Sequence, residues 1–256
     1  QSVPQGKQSL VGDPAMVDQC AAVDGAIGGL TAIMLFAPNE EVQEASEAEI
    51  AQAGGVMGYT LWVGLNVFFQ FGIPVLAIGT IILSQNLIVG ERQNGVAEWL
   101  LTKPVTRRAY VLAKMTAHAL PILTLLIGVP SIVVYGILSL RMGAPFPLTP
   151  FLSAVGVMAI HTCFYFTLTL MLGAMFTSRG PILGIALGSV LGGGLLGRLI
   201  QPLFYVMPWK LADVAWATAT GQAIPAAMTL SSLTATVLWC VVFVLVALIK
   251  FDNIEY

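Results

Sequence analysis

Residues 57–83 read MGYTLWVGLNVFFQFGIPVLAIGTIIL, and no Asp, Glu, Lys or Arg occurs between Glu49 and Glu91. At a rise of about 1.5 Å per residue, a helix over this segment crosses the roughly 30 Å hydrocarbon core of a bilayer. The chain is 57% hydrophobic and only 9% charged, whereas soluble domains carry roughly 25% charged residues. We therefore expect an all-α integral membrane protein, a polytopic helical bundle.

Four further charge-poor intervals extend this pattern toward the C-terminus. Spans are expected at about 115–138 and 149–176, from Gly180 to Arg198, and at about 232–249. Pro121 and Pro130 fall inside the first of these and are expected to kink it. Together with residues 57–83, these intervals predict five clear spans.

Residues 199–231 are apolar but unsuited to one continuous span. Pro202, Pro208 and Pro225 interrupt the segment, and Trp209 and Trp216 lie within it. Trp favours the membrane interface, and broken backbone is tolerated at membrane depth only where protein or water covers it. We expect short external helices that dip into the interface and return before the last span.

The N-terminal segment, residues 1–56, is expected to be a separate acidic, external region ahead of a membrane domain at 57–256. The apolar run at 25–37 is shorter than a span and suits an interfacial or re-entrant piece. Extending it back to residue 20 would place Asp24 in the membrane. Residues 38–56 are rich in glutamate, which favours a short solvated helix.

Basic residues are concentrated in one loop. Of the eleven Lys and Arg residues in the chain, five fall within residues 84–114. The positive-inside rule therefore predicts that loop 84–114 and the C-terminus of this multi-pass protein are cytoplasmic. We expect the membrane to be the plasma membrane of a bacterium or archaeon. The five basic residues are Arg92, Lys103, Arg107, Arg108 and Lys114.

A few polar side chains are expected inside the spans. Asn66 and Gln70 are four residues apart and share one helix face. They either line a translocation path or form an interhelical hydrogen bond within one subunit. His118 and His161 have no carboxylate within helical reach, so a packing role is favoured over a functional one.

The segment GIALGSVLGGGLLGR, residues 184–198, places glycines four residues apart. Small residues on one face let two helices approach closely. The partner helix is either in the same subunit or in a second one.

Several classes of protein are excluded by what the sequence lacks. The net charge of −2 leaves no basic footprint for nucleic acid. No GxxxxGK[ST] phosphate loop and no HExxH motif occurs, so neither ATP hydrolysis nor a metal site is expected. The cysteines Cys20, Cys163 and Cys240 are scattered and predict neither a disulfide framework nor a zinc site.

The loop sequence GERQNGVAEWLLTKPVTRRAYVLAK, residues 90–114, resembles the cytoplasmic loop of type-2 ABC transporter permeases. In that family a Glu-Arg-x-x-Gly segment leads to a leucine-rich stretch, then to Pro-Val-(Ser/Thr)-Arg, and then to a Lys in the next helix. The helix pattern over about 57–256 is also similar. The matching residues are Glu91, Arg92, Gly95, Glu98, Leu100, Leu101, Pro104, Val105, Thr106, Arg107 and Lys114.

The resemblance implies a permease subunit of an ATP-driven exporter, which is not itself an enzyme and uses no cofactor. Its loop would dock on a separate ATP-binding cassette ATPase, and two membrane subunits, identical or different, would enclose the cargo path. Two alternatives are a structural subunit of a larger membrane complex with the same fold and an ATP-independent transporter. The residues expected to couple the subunit to the ATPase are Glu91, Arg92, Glu98, Lys103, Arg107 and Arg108.

The chain departs from the family at its start. Family members open with a basic amphipathic elbow helix and a first full span, which brings their spans to six. Neither feature is evident here. The first span either lies upstream of Gln1 or is represented by a degenerate segment at residues 20–37.

Overall fold

The computed structural model describes residues 25, 47–85, 87, 89, 106–200 and 206–252. Every regular element among these residues is a helix, and none of them lies in a strand. The predicted all-α class is therefore confirmed. Four helices of this part of the chain are long and apolar enough to cross a membrane: Val56–Ser84, Arg108–Met142, Leu148–Met175 and Ala226–Phe251.

The first two helices follow directly on one another. Helix α1, Glu47–Gln52, has no buried residue, which confirms the short solvated helix expected within residues 38–56. Gly54 and Gly55, with φ of 82° and 94°, turn the chain into helix α2, Val56–Ser84. Helix α2 corresponds to the span predicted at residues 57–83.

Helix α2 contains a π-helical turn at Val67–Phe71, just before Pro74. Proline has no N–H, so the carbonyl of Gln70 has no α-helical donor at position 74. A wider turn with i→i+5 hydrogen bonds is a known way to accommodate such a gap, and π-helical turns occur frequently at functional sites.

Helix α3 shows the same relation between proline and π-helical backbone. It consists of Arg107–Pro121, a π-helical turn at Ile122–Gly128, and Val129–Met142. The distortion expected at Pro121 and Pro130 therefore takes the form of a widened turn between the two prolines. The hydroxyl of Thr124 donates to the carbonyls of Leu120 and Pro121, at 2.8 and 3.3 Å.

Helix α4, Leu148–Met175, lies at the centre of the bundle. It packs against α2, against helix α5, Arg179–Leu199, and against the last helix, α7, Ala226–Asp252. Helices α4, α5 and α7 coincide with predicted spans. Helix α5 has 21 residues but is not one of the four candidate spans above, so the fifth predicted span stays a prediction. Near the α3–α4 turn, Phe151 contacts the rings of Phe68, Phe69, Tyr135 and Phe146.

The broken segment before α7 forms a short helix beside α2. A 3₁₀ turn at Pro208–Lys210 leads into helix α6, Leu211–Thr220, which ends at Gly221 with φ 72°. Trp216 of α6 packs edge-on against Trp62, with ring centroids 5.3 Å apart, and Asp213 accepts a hydrogen bond from Gln70. Helix α6 is therefore antiparallel to the first half of α2.

The depth of α6 differs from the expectation. Gln70 is the midpoint of α2, Val56–Ser84, so the first turn of α6 lies at the middle of that span. The prediction of a short helix is confirmed, but its placement at the interface is wrong. The deep position is possible because α6 packs against α2 and α4, which cover its backbone.

Candidate functional site

The loop expected to contact an ATPase is only partly described. Glu91, Arg92, Glu98 and Lys103 lie outside the described residues. Arg107 is the first residue of α3, and the side chain of Arg108 is exposed.

Thr106 caps the helix that leaves this loop. Its backbone is extended, with φ −70° and ψ 142°, and its hydroxyl oxygen accepts a hydrogen bond from the N–H of Ala109 at 3.3 Å. Such a cap stabilises a helix by about 1 kcal/mol relative to alanine. The Thr in the Pro-Val-Thr-Arg sequence thus sets the residue at which α3 begins.

The two ends of the loop are joined by a direct hydrogen bond. The ammonium group of Lys114, in the second turn of α3, donates to the backbone carbonyl of Leu87 at 2.8 Å. Leu87 follows the end of α2 and is itself buried. The same ammonium group lies 5.9 Å from the ring centre of Tyr110, within the range of a cation–π contact.

The C-terminal helix is attached to the same place. The ring of Tyr110 stacks on Phe251, near the end of α7, with centroids 5.5 Å apart and an interplanar angle of 24°. Both rings are buried in a cluster that includes Leu87. We call the four residues Leu87, Tyr110, Lys114 and Phe251 the loop clamp, because they connect α2, α3 and α7 where the loop begins and ends.

A second group of polar side chains lies at half the length of α2. The side-chain amide of Gln70 donates to Oδ1 of Asp213 at 2.8 Å, and the ammonium group of Lys210 donates to Oδ2 at 2.6 Å. Gln70 belongs to the π-helical turn of α2, and Lys210 and Asp213 flank the start of α6. We call these three residues the midspan cluster.

The charges of the midspan cluster are well compensated. Both carboxylate oxygens of Asp213 have a donor, and Asp213 lies in the first turn of α6, where a negative charge interacts favourably with the helix dipole. The side chains of Lys210 and Asp213 are 23% and 38% exposed, so neither is fully enclosed by the described residues. Charged residues inside membranes are expensive and mark functional sites more often than structural ones.

The two residues expected on a translocation path are placed differently. Gln70 reaches across to α6 of the same chain, which matches the interhelical hydrogen bond considered as an alternative. Asn66, just before the π-helical turn, is half-buried. Lys210 and Asp213 were not expected, although charges three residues apart in an apolar, broken segment were a signal for them.

Trp209 anchors the start of α6 to α5. Its indole N–H donates to the backbone carbonyl of Ser189 at 2.9 Å. A Cβ atom on Gly193 would lie 2.1 Å from Nε1 of Trp209, so only glycine fits there. One of the clustered glycines therefore serves packing within this subunit, whereas Gly184 and Gly188 are exposed, and a Cβ atom added at either would meet nothing within 4 Å.

The two histidines occupy separate parts of the bundle. A ring nitrogen of His118 lies 3.1 Å from the carbonyl of Lys114 in its own helix. His161 is buried in α4, with its ring 5.0 Å from that of Tyr165. These contacts agree with the packing role that the sequence favoured for both.

Long apolar helices around a deep re-entrant helix define a multi-pass membrane protein of the all-α class. The chain matches the ABC-2 family transporter protein family over residues 25–255, and it belongs to that family. It is therefore a membrane transport component of the ABC permease type. No curated protein matches it at a significant level.

Proposed function

We propose that this chain is the permease subunit of an ATP-driven exporter and that a separate ATP-binding cassette ATPase docks on loop 84–114. The observation that carries the proposal is the loop clamp, in a chain of the ABC-2 family. Lys114 and Tyr110 connect this loop to three long helices. A force that a docked ATPase exerts on the loop is therefore transmitted directly to the membrane domain.

The charged residues of the loop give the docking surface its chemistry. Glu91 and Glu98 alternate with Arg92, Lys103 and Arg107, and Arg108 follows. Complementary charges steer association and fix register more than they add affinity. We assign these six residues to coupling, and hydrolysis of ATP to the partner, because the chain has no phosphate-binding loop.

The working unit proposed here contains two membrane subunits and two ATPase subunits. The described helices of one chain pack around α4, and five or six helices enclose too little volume for a gated path through a bilayer. A path between two membrane subunits would be lined by α2, the helix that carries Asn66 and Gln70. The midspan cluster would then contact the cargo, or hold α6 against that path.

The orientation of the chain across the membrane follows from the distribution of its basic and acidic residues. Loop 84–114 and the C-terminus are assigned to the cytoplasm, and residues 1–56, with the re-entrant segment that includes α6, to the outside. The membrane is proposed to be the plasma membrane of a bacterium or archaeon. Residues 57–256 form the permease domain, and residues 1–56 form the external acidic segment.

Affinity purification of the chain from its native membrane tests the proposal. We expect an ATP-binding cassette ATPase to co-purify, and Glu91→Ala or Arg107→Ala to lower the ATP turnover of the complex severalfold while the protein stays inserted. An ATP-independent transporter would move cargo with no ATPase attached. A structural subunit would co-purify with other membrane proteins, and its complex would show no ATP turnover.

A further inference from the structure

We propose that Lys114 is a positioning residue for coupling: it fixes the distance between the two ends of loop 84–114, so that α2 and α3 move as one body when the loop is pushed. This inference rests on the proposed function, and it assigns a role to a residue that is not one of the six loop residues assigned to coupling. Its first support is the 2.8 Å hydrogen bond from the Lys114 ammonium group to the Leu87 carbonyl.

The chemistry of this bond suits a permanent contact. A hydrogen bond with a charged donor is shorter and stronger than one between neutral groups. Leu87 lies in helical backbone just beyond Ser84, and its carbonyl accepts this bond from the Lys114 ammonium group. Lys114 is half-buried, so water competes for this hydrogen bond less than at an open surface.

The position of Lys114 along α3 gives the bond its mechanical effect. Helix α3 begins at Arg107, so Lys114 lies about two turns, or roughly 10 Å, into the helix. The bond therefore crosses from the end of α2 to a point well inside α3. A force on the loop cannot separate the two helix ends without first breaking this contact.

Tyr110 extends the connection to a third helix. Its ring contacts both the Lys114 ammonium group, 5.9 Å from the ring centre, and the stacked ring of Phe251. Phe251 is 1% exposed, and Ala247, one turn earlier in α7, is fully buried in the same cluster. Helix α7 therefore moves together with the two ends of loop 84–114.

A simpler role for Lys114 is that of one more positive charge on the cytoplasmic side. Lys250 provides the matched control, because it is an exposed lysine in the last turn of α7, at the same end of the bundle. Replacing either lysine by methionine removes one charge and keeps an unbranched side chain. Only Lys114→Met also removes the hydrogen bond to Leu87.

The experiment uses the complex with its ATPase, reconstituted in lipid vesicles, and measures the kcat and KM for ATP. Lys114→Met should lower kcat about ten- to a hundredfold, the size of one hydrogen bond to a charged group. KM should be unchanged, because the nucleotide site lies on the partner. Lys114→Arg should restore kcat to within about twofold, and Lys250→Met should leave it unchanged.

A covalent replacement gives a second test of the same contact. In a background without native cysteines, Leu87→Cys with Lys114→Cys should show low ATP turnover until a short bifunctional thiol reagent joins the two residues. Turnover should then recover. No recovery on joining would overturn the inference.

Two further results would overturn it while leaving the proposed function intact. In the first, Lys114→Met retains full turnover in an assembled complex. In the second, Lys114→Met and Lys250→Met lower turnover equally, which would assign the effect to charge alone. Failure of the unaltered chain to associate with any ATPase would instead overturn the proposed function, and this inference with it.

Discussion

At the scale of single residues, Gly193 shows how closely the re-entrant segment is fitted to its neighbours. The indole of Trp209 occupies the space where a side chain at position 193 would begin. That contact sets the position of the 3₁₀ turn Pro208–Lys210, and therefore of the Lys210 and Asp213 charges that follow.

We expect Gly193→Ala to lower the free energy of unfolding by about 2–4 kcal/mol. The new Cβ atom would lie 2.1 Å from Nε1 of Trp209, so the indole must shift and lose its bond to Ser189. Overpacking costs about 1–3 kcal/mol, and a lost buried hydrogen bond about 1 kcal/mol more. Thermal unfolding in detergent measures the change.

Gly188→Ala is the matched control, because a Cβ atom at Gly188 meets nothing within 4 Å. It should leave the unfolding midpoint of the subunit unchanged or slightly raised, since alanine favours helix over glycine. Equal destabilisation by the two variants would mean that helix α5, and not the contact with Trp209, responds to the added methyl group.

At the scale of elements, the midspan cluster holds α6 against the π-helical turn of α2. Gln70 reaches Asp213 from that turn, which forms where Pro74 denies the Gln70 carbonyl an α-helical partner. Lys210 completes the group from the 3₁₀ turn before α6. Two irregular backbone segments therefore meet at one polar contact.

We expect Lys210 and Asp213 to be energetically coupled. Asp213→Asn should destabilise the protein by about 1–3 kcal/mol, because it removes the negative charge that faces the Lys210 ammonium group at 2.6 Å. This is below the 3–5 kcal/mol of a fully buried pair, since the Asp213 side chain is 38% exposed. Lys210→Met should cost a similar amount, and the double variant less than the sum.

A double-mutant cycle of thermal unfolding midpoints measures this coupling. The control is Gln70→Leu, which removes the neutral donor and should cost about 1 kcal/mol. Strict additivity of Asp213→Asn and Lys210→Met would show that the two charges do not interact in the membrane. Transport assays on the double variant would then separate a structural role from contact with cargo.

The irregular elements are also where reasoning from sequence reached its limit. Hydropathy and charge located α2, α3, α4, α5 and α7 to within a few residues at most ends, because each span must satisfy its own backbone in lipid. Helix α3 begins at Arg107, ahead of the span expected at about 115–138, because Thr106 caps the helix there. Within a span, however, α-helical and π-helical turns have the same composition. The prolines were therefore the one signal in the sequence that the helices would be distorted.

The depth of α6 could not be predicted for a related reason. Trp209 and Trp216 favour the interface in general, but here Trp209 bonds to Ser189 and Trp216 packs on Trp62. Tertiary contacts decided the position. The loop clamp could not be predicted for the same reason. Lys114 was part of the recognised loop pattern, but it donates to the backbone carbonyl of Leu87, and every residue has such a carbonyl, so the sequence does not identify the partner.

At the scale of the whole molecule, the loop clamp and helix α6 lie toward opposite ends of the bundle. The loop clamp lies at one end of α2, and α6 extends from its midpoint to the other end. The lengths of α3, α4 and α7 place the loop clamp and the α3–α4 turn on opposite sides of any bilayer that α2 crosses. One orientation therefore fixes the location of both sites.

That orientation can be measured with two single cysteines in a background without native cysteines. Gln93→Cys lies in the basic loop and Glu44→Cys in the acidic N-terminal segment. Because basic residues are retained on the cytoplasmic side, we expect a membrane-impermeant maleimide added to intact cells to label Glu44→Cys and not Gln93→Cys. Inverted vesicles should give the opposite result.

A third cysteine at Gln222, exposed just after α6, should behave like Glu44→Cys, since α6 ends at the Val56 end of α2. Labelling of Gln222→Cys together with Gln93→Cys, from the same side, would contradict both the orientation and the antiparallel placement of α6.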